Sequence, residues 1–166
     1  GLVMVFDPIW NGIRNHYVAS NQHIHELFLV PAVTGANPTP GWAQQAITPK
    51  AAQAGLGQAT SGLQEIDPFS YMQHFQNGDV YWSLADGAHE VHGEIKRKYD
   101  MWGGGSSFLG MPVTDETGTP DGYGRYNHFD HGSIYWTNHT GPMTVSAAIR
   151  DKWASLGWER GLLGYP

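Results

Sequence analysis

A nine-residue pattern occurs twice in this chain at a fixed spacing. His74-Phe75-Gln76-Asn77-Gly78-Asp79-Val80-Tyr81-Trp82 returns 54 residues later as His128-Phe129-Asp130-His131-Gly132-Ser133-Ile134-Tyr135-Trp136. The register then holds without a gap. Gly87 maps to Gly141, Val91 to Val145, Ile95 to Ile149, Lys98 to Lys152 and Gly103 to Gly157, and Leu109-Gly110 and Pro112 map to Leu163-Gly164 and Pro166. A period of this size marks a modular array, in which one small unit is stacked or strung out to make a surface. Such arrays mostly bind rather than catalyse.

Composition narrows the partners. Net charge is −6 with nine Lys plus Arg, so a phosphate backbone is repelled more than attracted, and nucleic-acid binding is not expected. No run of 18 apolar residues could span a membrane. No stretch has the charged start, apolar middle and small-residue cleavage site of a signal peptide. The absence of Cys removes disulfides and thiol chemistry. Charged residues are 14%, against 22 Gly, 7 Trp and 8 Tyr, a balance that favours turns and aromatic platforms over long helices. The closing Leu163-Gly164-Tyr165-Pro166 matches the middle of the repeat at Leu109-Gly110-Met111-Pro112, so the chain reads as cut mid-repeat.

The two halves differ. Residues 13–19 and 23–30 read as strands joined by a Ser20-Asn21-Gln22 turn, with a bulge or two buried faces expected in the second. A Gly/Pro-rich loop follows. Residues 42–48 read as a third strand, and 51–62 as loop or a short turn of helix. In the second half, Val80-Tyr81-Trp82 and Ile134-Tyr135-Trp136 are strand cores. Val91, Ile95, Tyr99 and Trp102 form a helical stripe that Val145, Ile149, Trp153 and Leu156 repeat. Asp86 is the expected N-cap of the first helix, and Pro142 suits the first turn of the second. Gly103 and Gly157 sit where helices end in the left-handed conformation.

Phe108-Leu109-Gly110-Met111-Pro112, Leu162-Leu163-Gly164-Tyr165-Pro166 and the run from Asp121 to Trp136 resemble the LGFP repeat over residues 70–166. The resemblance implies a module that holds bacterial or fungal proteins to the cell wall, with no catalytic residues to carry over. The first copy departs from the pattern: Ser70-Tyr71-Met72-Gln73 replaces Gly124-Arg125-Tyr126-Asn127, so a site needing the Arg exists at most once. Arg14-Asn15-His16-Tyr17, His23-Ile24-His25-Glu26 and Gly41-Trp42 resemble one blade of a fucose-type β-propeller lectin. That resemblance implies sugar contacts at Arg14, Glu26 and Trp42. One blade cannot close a ring, so a homo-oligomer or a longer chain would be needed.

The aromatic pairs Tyr81-Trp82 and Tyr135-Trp136 put one ring on each face of a strand. An exposed Trp offers a flat apolar face with a free N–H, a match for the C–H face of a sugar. The alternative packs both rings under the helix stripe. Asp121, Arg125 and His128 read as a polar cluster beside Trp136, able to bind vicinal hydroxyls; alternatively, Asp121-Gly122 is a tight turn that Arg125 braces. Nine His suggest metal, but no complete ligand set appears: His23 with His25, His128 with Asp130, and His89 with His92 are pairs only. Asp115-Glu116 with Asp121 could supply paired carboxylates but lie in a Thr/Gly/Pro-rich loop.

The expectation is therefore an α+β, mostly β protein: a blade-like segment at 1–66, then repeat units at 67–112 and 113–166, each with a strand pair and a helix. Its expected role is non-catalytic, secreted or cell-envelope carbohydrate binding, with no cofactor or metal and a glycan or cell-wall polysaccharide as partner. The alternatives are an anchoring or protein-interaction module and a metal-dependent hydrolase.

Overall fold

The computed structural model describes residues 3–6, 15–18 and 39–166. It divides into two compact units, Gly1–Ala36 and Asn37–Pro166. In the first, β1 (Val3–Phe6) pairs antiparallel with β2 (Asn15–Val18), placing Val3 opposite Val18. β2 falls inside the strand expected at 13–19. The run at 23–30, with its expected bulge, lies outside the described residues, as do Arg14, Glu26, His23 and His25.

The second unit opens with α1 (Thr39–Gln53), which corrects the strand expected at 42–48. Its apolar face is spelled by Ala43, Ile47 and Ala51, four residues apart and essentially fully buried. Two of those three are alanines, so the stripe is faint in the sequence, and the segment turns helical because a sheet waits to cover it. Four antiparallel strands follow: β3 (Gln64–Asp67), β4 (Ser70–Phe75), β5 (Gly78–Ser83) and β6 (Gly87–His92), side by side in chain order. Next come α2 (Gly93–Trp102) and a single 3-10 turn. The second repeat gives β7 (Thr117–Gly118), β8 (Gly124–Phe129), β9 (Gly132–Thr137) and β10 (Gly141–Ser146), in the same order, then α3 (Ala147–Ser155) and another 3-10 turn.

The chain is thus mostly β with helices, in two repeats, and each repeat carries four strands rather than two. The extra strands explain two misplaced helix starts. Asp86 does not cap a helix; its backbone N–H donates to Ser83 Oγ in the β5–β6 turn, 2.9 Å away. Pro142 lies on β10 opposite Trp136. Residues 87–92 and 141–146 extend because a three-residue turn followed by a left-handed glycine, Gly87 or Gly141, folds them back on β5 and β9. The helix stops fall where expected: Gly103 and Gly157 both have positive φ, and the Gly103 N–H reaches the Asp100 carbonyl.

Side-chain alternation along the strands distributes the core. On β5, Val80 and Trp82 point toward α1, while Tyr81 points to the other face with Val91. That second face meets α2 through Ile95 and Tyr99. Behind α2 stands the second sheet, with Phe129, Ile134 and Trp136 against the same helix. The order through the unit is therefore α1, first sheet, α2, second sheet, α3, and α2 is shared between the two repeats. After α1 and after α2 the chain makes the same move. Leu56 and Leu109 are buried beneath the following sheet, and the carbonyls of Leu56 and Leu109 accept the N–H groups of Asn77 and His131 at the tips of the β4–β5 and β8–β9 hairpins, at 3.0 and 2.9 Å. Leu56-Gly57 is therefore a further copy of the Leu-Gly motif.

Candidate functional site

Arg125 on β8 stands directly opposite Trp136 on β9, on the face turned to α2. The same register position in the first sheet pairs Tyr71 with Trp82. There the two rings lie 6.1 Å apart, the Tyr71 hydroxyl is 3.1 Å from Thr39 Oγ1 on α1, and Trp82 is only 6% exposed. The expectation of one aromatic platform per repeat is therefore not met. Trp82, Tyr81 and Tyr135 are buried, and Tyr135 packs edge-on to Trp153 at 4.7 Å.

In the second repeat the Arg opens what the Tyr closes. Arg125 swings to Glu116, its Nε donating to Glu116 Oε1. Trp136 is left half-buried on the wall of a groove of about 490 Å³ lined by His92, Gly93, Glu94, Ile95, Glu116, Arg125 and Trp136. Its end wall is the first turn of α2, where backbone N–H groups lack intrahelical acceptors.

Behind this groove lies a buried polar network. Glu90 Oε1 accepts the Glu116 backbone N–H at 3.0 Å. The His92 ring brings Nδ1 within 3.0 Å of Glu116 Oε2 and Nε2 within 3.7 Å of Glu90 Oε2. Those two carboxylate oxygens are sealed from solvent and accept no aligned hydrogen bond among the described residues. Burial pushes the Glu90 carboxyl above the usual carboxylate range, and the neighbouring His92 offsets part of that. Asn127, fully buried, donates to the Glu90 and Thr114 carbonyls at 3.0 and 2.9 Å. Asp115 joins the same layer. Burial pushes its carboxyl up, but Lys50 from α1 at 2.6 Å and His89 at 3.1 Å more than offset this and hold it below the ordinary value.

The sequence-derived cluster of Asp121, Arg125 and His128 does not form. Arg125 and His128 are three apart on a strand, so they point to opposite faces. His128 sits with Ser133 Oγ at 2.6 Å and against Trp158, away from Trp136; burial, and then the Arg150 charge, holds its ring below the usual pKa. Asp121 braces its own turn, accepting from Tyr165 Oη at 2.6 Å, Thr119 Oγ1 at 2.7 Å and the Tyr123 N–H at 3.0 Å. Tyr165 Oη is pushed up to about 12, by partial desolvation and by that Asp121 bond. His89 and His92 lie three apart on β6 and so also face opposite ways. Among the described residues no three His, Cys, Asp or Glu side chains come together in a way that could hold a metal ion.

Trp42 is 40% exposed on α1, a helix, so it does not occupy a strand position of a blade. Trp102, expected in the core stripe, is 47% exposed; its Nε1 donates to Thr144 Oγ1 at 3.1 Å, and Phe108 stacks edge-on 5.2 Å away. Sequence reasoning considers His92 only as half of a metal pair and Glu116 only as a paired carboxylate, and it passes over Glu90, which lies behind the groove. The signal for the groove itself is the departure at Tyr71, since it marks the Arg125 position as different between the copies.

The sequence profile of the LGFP repeat matches residues 56–107 and 109–161. The chain belongs to the LGFP repeat family. Both matched segments begin at a Leu that follows a helix. The LGFP unit thus runs from Leu-Gly through four strands to a helix, and α1 stands before the first matched unit. No curated protein matched the chain.

Proposed function

We propose that this LGFP repeat protein is a non-catalytic carbohydrate-binding module of the cell envelope or extracellular space, and that its glycan site is the groove of the second repeat. The observation that carries this reading is the half-buried Trp136 ring beside the Arg125–Glu116 pair. An indole face accepts the C–H side of a pyranose, while the partly exposed Arg125 guanidinium, oriented by the buried Glu116 carboxylate, donates to ring hydroxyls. Each such bond replaces one to water, so the net gain per bond is small, about 1 kcal/mol, and the affinity of a single site is weak. With Trp82 buried, the first repeat supplies no equivalent site.

The test is retention on insoluble peptidoglycan and arabinogalactan, set beside simple sugar resins. Trp136→Ala is expected to abolish retention while circular dichroism at room temperature stays that of the folded parent, with Tm lowered by several degrees because the half-buried ring packs against the α2 core. Trp82→Ala serves as the buried control and is expected to lose about 3–5 kcal/mol of stability. Retention of the folded Trp136→Ala protein equal to the parent's would exclude the groove. Retention of the Trp136→Ala protein on peptidoglycan or arabinogalactan, with no parent binding to simple sugar resins, would favour the cell-wall anchoring reading, and the parent's failure to bind any polysaccharide would favour a module that docks a protein partner.

A further inference from the structure

The three helices offer an internal comparison. α1 and α2 each lie under a following sheet, each burying a helical stripe and the Leu that follows it. Ile95 on α2 is 1% exposed and Leu109 after it 0%, both beneath Phe129 and Ile134. On α1 the residues that meet the first sheet, Ala43, Ile47 and Ala51, are 0–1% exposed, and Leu56 after it is 2% exposed. At α3 the equivalent residues are Ile149 and Leu163, 63% and 62% exposed.

The local shape of the segment is nevertheless the covered one. Gly157 adopts the left-handed conformation of Gly103. Trp153 Nε1 donates to the Gly164 carbonyl at 3.0 Å, repeating the bond from the Tyr99 hydroxyl to the Gly110 carbonyl at 2.6 Å. So α3 and its Leu-Gly segment already hold the arrangement that, at α2, receives a sheet.

We propose that the Ile149–Leu163 face of α3 is the docking surface for the four-stranded sheet of a further LGFP repeat continuing the same array. The occupant is specified by its chemistry. It presents two apolar residues where Phe129 and Ile134 stand, and a two-residue hairpin tip whose N–H bonds the Leu163 carbonyl, as His131 bonds Leu109. A second copy of the chain is a poorer fit, because the α1-facing side of its first sheet is already filled by α1, and both sides of α2 are occupied.

The experiment compares the full chain with the full chain carrying its own residues 113–166 again, directly after Pro166. Hydrogen exchange at the α3 amides is expected to slow in the extended protein. Ile149→Ser is expected to change Tm by about 2 °C or less in the original chain, where the residue is exposed. In the extended chain it is expected to lower Tm by roughly 5–10 °C, where the residue is covered. Unchanged α3 exchange on extension, or the same Tm shift in both proteins, would overturn the proposal. So would self-association of the original chain that Leu163→Ser abolishes, since a second copy would then be the occupant.

Discussion

Arg125 and Tyr71 occupy one register position in two sheets and do opposite things. Tyr71 reaches α1 and closes the space over Trp82; Arg125 turns to Glu116 and leaves Trp136 on a groove wall. The difference follows from chemistry. A guanidinium needs a carboxylate when it is drawn toward the interior, and Glu116 is held for it by Glu90 and His92. That arrangement leaves Glu90 as a carboxyl whose folded pKa is raised by burial. The folded protein then binds its proton more tightly than the unfolded chain does. The destabilisation is present in full above the folded pKa and is relieved as pH falls into the carboxylate range. Glu90→Gln keeps the oxygen that accepts the Glu116 N–H and removes the charge. It is expected to raise Tm at pH 7, with the difference from the parent shrinking on acidification. Thermal melts from pH 7 to pH 4 check this, and a lower Tm independent of pH would show that the charge is needed for the fold.

At the scale of elements, one helix belongs to two sheets. α2 buries Ile95 and Tyr99 between Tyr81 and Val91 on one side and Phe129 and Ile134 on the other. α1 supplies the first sheet with Ala43, Ile47, Ala51 and the following Leu56. A four-stranded sheet with one face uncovered cannot keep its apolar residues from water, so α1 is as necessary to the first repeat as any of its strands. A chain starting at residue 55 is expected to lose the folded first repeat. The predicted signature in that shortened chain is exposure of Trp82, read as a red-shifted, quenchable tryptophan emission. Its first transition should also fall by more than 10 °C, since burying Ile47, Leu56, Val80 and Trp82 contributes about 1.5–3 kcal/mol each. An unchanged melt would mean that the sheet covers itself.

At the scale of the whole repeat unit, Lys50 on α1 pairs with Asp115 in the loop leading to the second sheet, so a charge bridge spans the first repeat from end to end. Asp115 has a folded pKa below its ordinary value, so its stabilisation is present above the unfolded carboxylate pKa and is lost as pH falls through the folded one. The pair is partly exposed, which limits it to about 1 kcal/mol or less. Lys50→Met is expected to lower Tm by about 2–4 °C at pH 7, with the gap closing in acid, and a gap that persists in acid would point to lost packing of the lysine stem instead. The sequence by itself determined the period, the mixed mostly-β class, the glycine stops at 103 and 157, and the uniqueness of the Arg125 position, because these rest on repetition and on local backbone chemistry. The tertiary structure decided which aromatic rings are sealed. A strand places its rings on alternating faces whatever lies beyond them, and the partner across the strand, Tyr71 in one sheet and Arg125 in the other, settles which ring meets water. Burial under a neighbouring sheet likewise made α1 a helix, since a stripe built of alanine becomes apolar surface worth hiding only when another element is there to cover it.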